Sequence, residues 1–156
     1  MPTVALDTTI DAPIDRVFDL ARTVEIHTET MGHSETAVAG TTTGQLALGD
    51  IVTWRATHIG VVLHLTVKIS AMDRPEYFRD CQVGGPFAEL VHEHDFERLG
   101  PERTRMTDRF RFASPYGVLG GLVDSIVLKR YMRRLIAVRN RTLASIAERH
   151  PDDAVP

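Results

Sequence analysis

The sequence predicts an α+β domain in which a curved antiparallel sheet of about seven strands wraps around one long C-terminal helix. Three observations predict it. Period-two alternation of apolar and polar residues runs from Glu35 to Ala113, an apolar stripe at helical spacing runs from about Leu119 to Arg149, and Gly/Pro-rich turn signals divide the alternating region. A sheet with one apolar face has to be covered, and the terminal helix is the segment long enough to cover it.

In chain order, Thr3 to Ile10 reads as a first strand with Val4 and Leu6 on one face. Asp11-Ala12-Pro13 opens a helix, with Asp11 as cap and Pro13 in the first turn, where a missing N–H does no harm. Ile14, Val17, Phe18 and Ala21 follow at helical spacing, and a second short helix spans Val24 to Thr30 before Gly32. Glu35 to Ala39 is a strand, and Gly40 to Gly49 is a Thr/Gly-rich connection. Ile51 to His58 and Val61 to Ala71 form a hairpin about Ile59-Gly60. A two-residue turn there sets His58 opposite Val61, Ala56 opposite Leu63, Trp54 opposite Leu65 and Val52 opposite Val67, with Thr53, Arg55, Thr57, His64, Thr66 and Lys68 on the other face.

Strands Tyr77 to Val83, Phe87 to Arg98 and Arg103 to Ala113 follow, separated by turns at Asp73 to Glu76, Gly84-Gly85-Pro86 and Gly100-Pro101. Ser114-Pro115-Tyr116-Gly117 leads into the long helix, which His150-Pro151 stops. Its stripe is Leu122, Ile126, Leu128, Tyr131, Met132, Leu135, Val138, Leu143 and Ile146. Residues 1–150 are expected to form a single ligand-binding domain, and 151–156 a disordered tail.

Composition narrows the partners. The chain has 156 residues, 43% hydrophobic and 25% charged, in the ordinary globular range. A net charge of −3 supplies no bulk attraction to nucleic acid or an anionic membrane. No apolar stretch approaches the ~20 residues of a membrane span, so stable membrane insertion is not expected. The single cysteine, Cys81, forms no intrachain disulfide, and the N-terminus lacks the pattern of a signal peptide. A cytoplasmic monomer or homodimer, without cofactor, is expected.

Several short stretches carry a resemblance. They are Ile10-Asp11-Ala12-Pro13, Thr53-Trp54-Arg55-Ala56-Thr57-His58, Gly85-Pro86-Phe87, His92-Glu93-His94-Asp95-Phe96, Met106-Thr107-Asp108 and Gly117-Val118-Leu119-Gly120. Together with the element order, over residues 3–148, they resemble the START-like or SRPBCC superfamily, which includes polyketide cyclases, lipid-transfer domains and plant pathogenesis-related carriers. The chain looks similar to its bacterial branch labelled for polyketide cyclase/dehydrase and lipid transport. The resemblance implies a helix-grip fold with a hydrophobic ligand held between sheet and C-terminal helix. It leaves carrier, cyclase, hydrolase-like enzyme and regulatory sensor open, so chemistry has to come from the pocket.

By alternation His58, Asp80, Gln82, His92, His94 and Asp108 point inward beside apolar residues. A five-residue connection at Gly100-Pro101 puts Asp108 opposite His94, where a carboxylate can fix the imidazole tautomer and raise its basicity. The candidate ligand-binding residues are Trp54, His58, Leu63, Leu65, Phe78, Gln82, Leu90, His92, His94, Phe110, Leu122 and Ile126; the candidate catalytic pair is His94 and Asp108. Three readings stay open: a polar network orienting a lipid- or polyketide-like ligand, an acid–base pair for cyclisation, dehydration or hydrolysis, and a metal site of His92 and His94 with Asp108 or His58, which no downstream ligand pattern supports. An accessory protein controlled by its ligand is a further alternative. Lys129, Arg130, Arg133, Arg134, Arg139 and Arg141 read as the solvated face of the terminal helix or as a contact for an anionic partner.

Overall fold

Seven strands form one antiparallel sheet in a computed structural model that describes residues 2–58, 60–113 and 117–149, without the side chains of 117–125. The order across the sheet is β1 (Thr3–Ile10), β7 (Arg103–Ala113), β6 (Glu89–Gly100), β5 (Tyr77–Gly84), β4 (Val61–Asp73), β3 (Ile51–His58) and β2 (Glu35–Gly40). Two short helices, α1 (Ile14–Ala21) and α2 (Val24–Thr30), follow β1, and α3 (Gly117–Glu148) ends the chain. The 114–116 lead-in and the 150–156 stop and tail lie outside the described residues.

The β3–β4 register is the one that alternation predicts: Trp54 faces Leu65 and Ala56 faces Leu63. Gly60 takes φ +73°, as a tight two-residue turn requires, while Ile59 lies outside the described residues. His94 also pairs with Asp108 as expected, by a different route. Instead of a five-residue loop, β6 and β7 stay paired up to Gly100 and Arg103, and an irregularity between Arg98 and Gly100 absorbs the extra residue. Further shifts lie between Ala37 and Ala39 in β2, and between Thr66 and Val67 and between Ile69 and Ala71 in β4. Such bulges bend and twist a strand, which is how this sheet curves around a helix.

The helix entry differs from expectation. Pro13 itself is the N-cap residue of α1, with ψ 147°, and no side chain caps the helix. Asp11 is drawn elsewhere: its N–H donates to Glu148 and its carboxylate lies 3.6 Å from Arg103.

Two apolar clusters flank the interior. The larger joins Ile10, Val17, Phe18, Phe78, Phe96, Met106, Leu143 and Ala147, with Phe18 edge-on to Phe78 and Phe96. The smaller joins Val4, Leu90, Phe110, Phe112 and Ile136. The C-terminal end of α3 is fastened by Arg16 of α1, which donates to the carbonyls of Ile146, Ala147 and Arg149 at 2.8–3.2 Å. The last carbonyls of a helix lack i+4 partners, Ile146 O accepting only a long bond from the Arg149 N–H at 3.3 Å, and a cation suits the negative end of the helix dipole. Arg16→Ala should therefore lower stability by roughly 1–2 kcal/mol, read as a lower urea midpoint at unchanged m. An unchanged midpoint would show the cap to be energetically idle.

The stripe on α3 is rotated from the predicted one. Ile136, Leu143 and Ala147 are buried, whereas Val138 and Ile126 are exposed. Of the basic run, Lys129, Arg130, Arg133, Arg134 and Arg141 are exposed as expected, but Arg139 is buried. Three acidic residues of β6 pair across the outer sheet face: Glu93 with Arg111, Asp95 with Arg109 and Glu97 with Arg105.

Candidate functional site

Between the sheet's concave face and α3 lies a cavity of about 710 Å³. Trp54, Leu63, Leu65, Phe78, Leu90 and Phe110 line its sheet side, and Leu128, Met132, Leu135 and Ile136 its helix side. Val61 and Val127 also border it, yet are 54% and 63% exposed, so the cavity opens between the β3–β4 hairpin and the first described turns of α3.

Nine of the sequence-predicted ligand residues line this space: the six sheet residues above and His58, His92 and His94. Three do not. Ile126 is 60% exposed, because the helix is rotated so that Val127 and Leu128 border the cavity instead. Gln82 clips the β5–β6 loop, its amide donating to the Phe87 carbonyl and accepting from the Phe87 N–H. A Cβ on neighbouring Gly85, at φ +155°, would collide with that amide and with Leu65. The Leu122 side chain lies outside the described residues.

The polar lining falls into two clusters. The inner one is built on β5, β6, β7 and α3. Asp108, 1% exposed, accepts from His92 Nε2 at 2.8 Å and from Asn140 Nδ2 at 2.6 Å. His94, directly opposite Asp108, instead donates from Nε2 to Asp80 at 3.1 Å. Its Nδ1 lies 3.2 Å from Asp108 Oδ1, an ion-pair distance, but off-line for a hydrogen bond. The aligned dyad is thus His92–Asp108, a diagonal pair, and not the predicted His94–Asp108; diagonal neighbours on paired strands are within reach of long side chains. Rings reinforce the arrangement: His94 stacks on Phe78 at 4.1 Å and on His92 at 3.8 Å.

Charge follows geometry. Burial pushes His94 toward neutrality, but Asp108 and Asp80 outweigh it and hold its pKa above the ordinary histidine value. Burial, together with the charge of His94, holds His92 below that value. Burial disfavours both carboxylates as anions, yet the histidines hold Asp80 below and Asp108 well below the usual range. The cluster therefore sets two carboxylates favoured as anions, Asp80 and Asp108, against His94, favoured as a cation, and the 5%-exposed Arg139. Asp80, His92 and His94 also bring potential metal-ligand atoms within 4.8 Å of one another. Both Nε2 atoms are already held by carboxylates, so a metal would have to displace those bonds and the His94 proton.

The outer cluster was not foreseen. Glu35, at the start of β2, accepts from His27 Nε2 at 2.7 Å and from His58 Nε2 at 2.9 Å. The Tyr131 hydroxyl donates to His58 Nδ1 at 2.8 Å, tying α3 to the β3–β4 hairpin. Burial would raise the Glu35 pKa, but the two histidines bring it down to about 2, while burial and the Glu35 charge raise that of Tyr131. His27 lies against Trp54 with ring centroids 4.2 Å apart.

No protein-family model matches the sequence, and no curated protein matches it in sequence. Solved structures do match in fold. The Zhui aromatase/cyclase of a Streptomyces species superposes with TM-score 0.77 at 17% identity, over 98% of each chain. A START superfamily protein from Mycobacterium smegmatis gives 0.73 at 11% identity, over 94% of this chain and 97% of that one. Major latex-like protein 151 from Panax ginseng gives 0.64 at 14% identity, over 94% and 97%. Identities this low speak to architecture alone, and on that point they agree with the seven-stranded sheet and its long helix: the chain has the START-like helix-grip fold.

Proposed function

We propose that this protein binds a hydrophobic or amphipathic small molecule, lipid- or polyketide-like, between the sheet and α3. The observation that carries the reading is the cavity itself, about 710 Å³ with largely apolar walls. Small-molecule sites run from roughly 300 to 1,000 Å³, and a closed core packs without voids of that size. The inward polar clusters then orient the ligand.

Leu63→Trp places an indole in the cavity from a half-buried strand position. It should weaken binding of the neutral dye N-phenyl-1-naphthylamine roughly tenfold or more, while circular dichroism stays that of the wild type. Equal dye binding by both proteins, or none by the folded wild type, would remove the basis of this reading. Native mass spectrometry of the purified protein identifies any co-purifying ligand.

A second reading, a cyclase- or dehydratase-type enzyme, has one observation in its favour. Neutral His92 donates Nε2–H to Asp108 and so keeps the lone pair on Nδ1, the state required of a general base. His94, whose protonated form two carboxylates favour, suits an acid's role instead. Turnover of an aromatic-polyketide substrate analogue that Asp108→Asn abolishes would favour this reading over a carrier.

A further inference from the structure

We propose that Arg139 is the anchor for an anionic oxygen on the ligand, so that the cavity takes an amphipathic acid and not a neutral lipid. The proposal rests on the ligand-binding reading above and specifies its polar end. Arg139 is buried, yet it borders the cavity. Only Nη1 is engaged, 3.1 Å from Asn140 Oδ1 and 3.5 Å from Asp108 Oδ1. Asp108 shares its oxygens among three donors, with His92 and Asn140 held at shorter range than the guanidinium. Nε and Nη2 make no hydrogen bond to any described residue.

Those two nitrogens form the side of the guanidinium that matches a carboxylate with two parallel N–H···O bonds. These nitrogens are not shut off from the cavity, and a ligand oxygen arriving there is the partner this geometry allows. A permanently charged arginine also favours an anion over a carbonyl or hydroxyl oxygen, since the bonds become charge-assisted.

The helix sets the ligand's length. Arg139 and Tyr131 lie eight residues apart on α3, roughly 12 Å along its axis. Met132, Leu135 and Ile136 line the cavity between them. An acid headed at Arg139 therefore has about that length of apolar wall before it meets the Tyr131–His58 pair.

The test uses a matched pair, dodecanoate and dodecanol, each displacing N-phenyl-1-naphthylamine from the full chain. In the wild type, dodecanoate should bind roughly ten- to a hundredfold more tightly than dodecanol. Arg139→Gln should bring the ratio of acid to alcohol affinity down to about one; Arg139→Lys, which keeps the charge but not the fork, should retain part of the preference. Equal affinities for acid and alcohol in the wild type would overturn the proposal without using any variant, as would a preference that survives in folded Arg139→Gln. A wild type that binds the dye and dodecanol but ignores dodecanoate would overturn it while leaving the ligand-binding reading intact. Failure to bind even the neutral dye would instead be the failure of that reading.

Discussion

Asp108→Asn should cost the domain roughly 3–5 kcal/mol, the usual penalty for removing one partner from a buried ionic network. Asp108 is the anion against which His92, His94, Arg139 and Asn140 are all arranged. Without its charge, Arg139 and the His94 imidazole are left in a buried site with Asp80 as the remaining carboxylate of the cluster. At roughly 2–4 °C per kcal/mol for a chain of this size, melting should fall by about 6–20 °C. Urea unfolding at pH 7 measures the loss directly, and a change below ~1 kcal/mol would show the network to be dispensable for folding. Dye affinity measured on the same variant separates the roles. An unchanged affinity marks Asp108 as structural, and a weakened one shows that it also sets the lining that the ligand meets.

Acid should destabilise the protein steeply below about pH 4.5. The folded pKa of Glu35, about 2, lies below its ordinary 4.5, so the unfolded chain binds the extra proton first. Its stabilising contribution is therefore full above pH 4.5 and disappears as the pH falls toward 2; the shift corresponds to roughly 3 kcal/mol. Asp108, held well below 3.8, adds to the same acid limb. His92, depressed by burial, begins the loss earlier, as the pH drops through 6.5. His94 acts with the opposite sign: its raised pKa gives stability that is full below 6.5 and is lost as the pH rises through the folded value. Urea midpoints from about pH 2 to 8 should trace these slopes, and Glu35→Gln should flatten the limb between 4.5 and 2. A variant as acid-sensitive as the wild type would remove Glu35 from the account.

Much of this was legible in the residues. Alternation about Ile59-Gly60 gave the correct β3–β4 register, because a one-residue slip would have moved Trp54 and Leu65 to the polar face together. It also brought His92, His94 and Asp108 to one side. Which histidine takes the aligned bond was beyond that reasoning, since pairing specifies opposite residues and ring rotation selects the diagonal one. Glu35 was missed because its strand is short, and nothing in the loop from Gly40 to Gly49 sets how it pairs with β3. Arg139 did leave a signal: it stands three residues after Ile136 and four before Leu143, both buried. Counted with its basic neighbours, it looked like part of a solvated face. Spacing along the helix, not local charge, was the better guide.

The uneven fastening of α3 has a consequence for how a ligand gets in. Its last turns are held by Arg16 and packed through Leu143 and Ala147, whereas Ile126 and Val127 face solvent beside the cavity mouth. Amide exchange should therefore be graded along this one helix. Protons near Leu143 should exchange only on global unfolding, and those near Val127 through small local openings of lower free energy. For the ligand proposed above, loading and release would then proceed through excursions of the weakly held segment, with the rest of the molecule folded, and its exchange would be uncoupled from the overall stability of the domain.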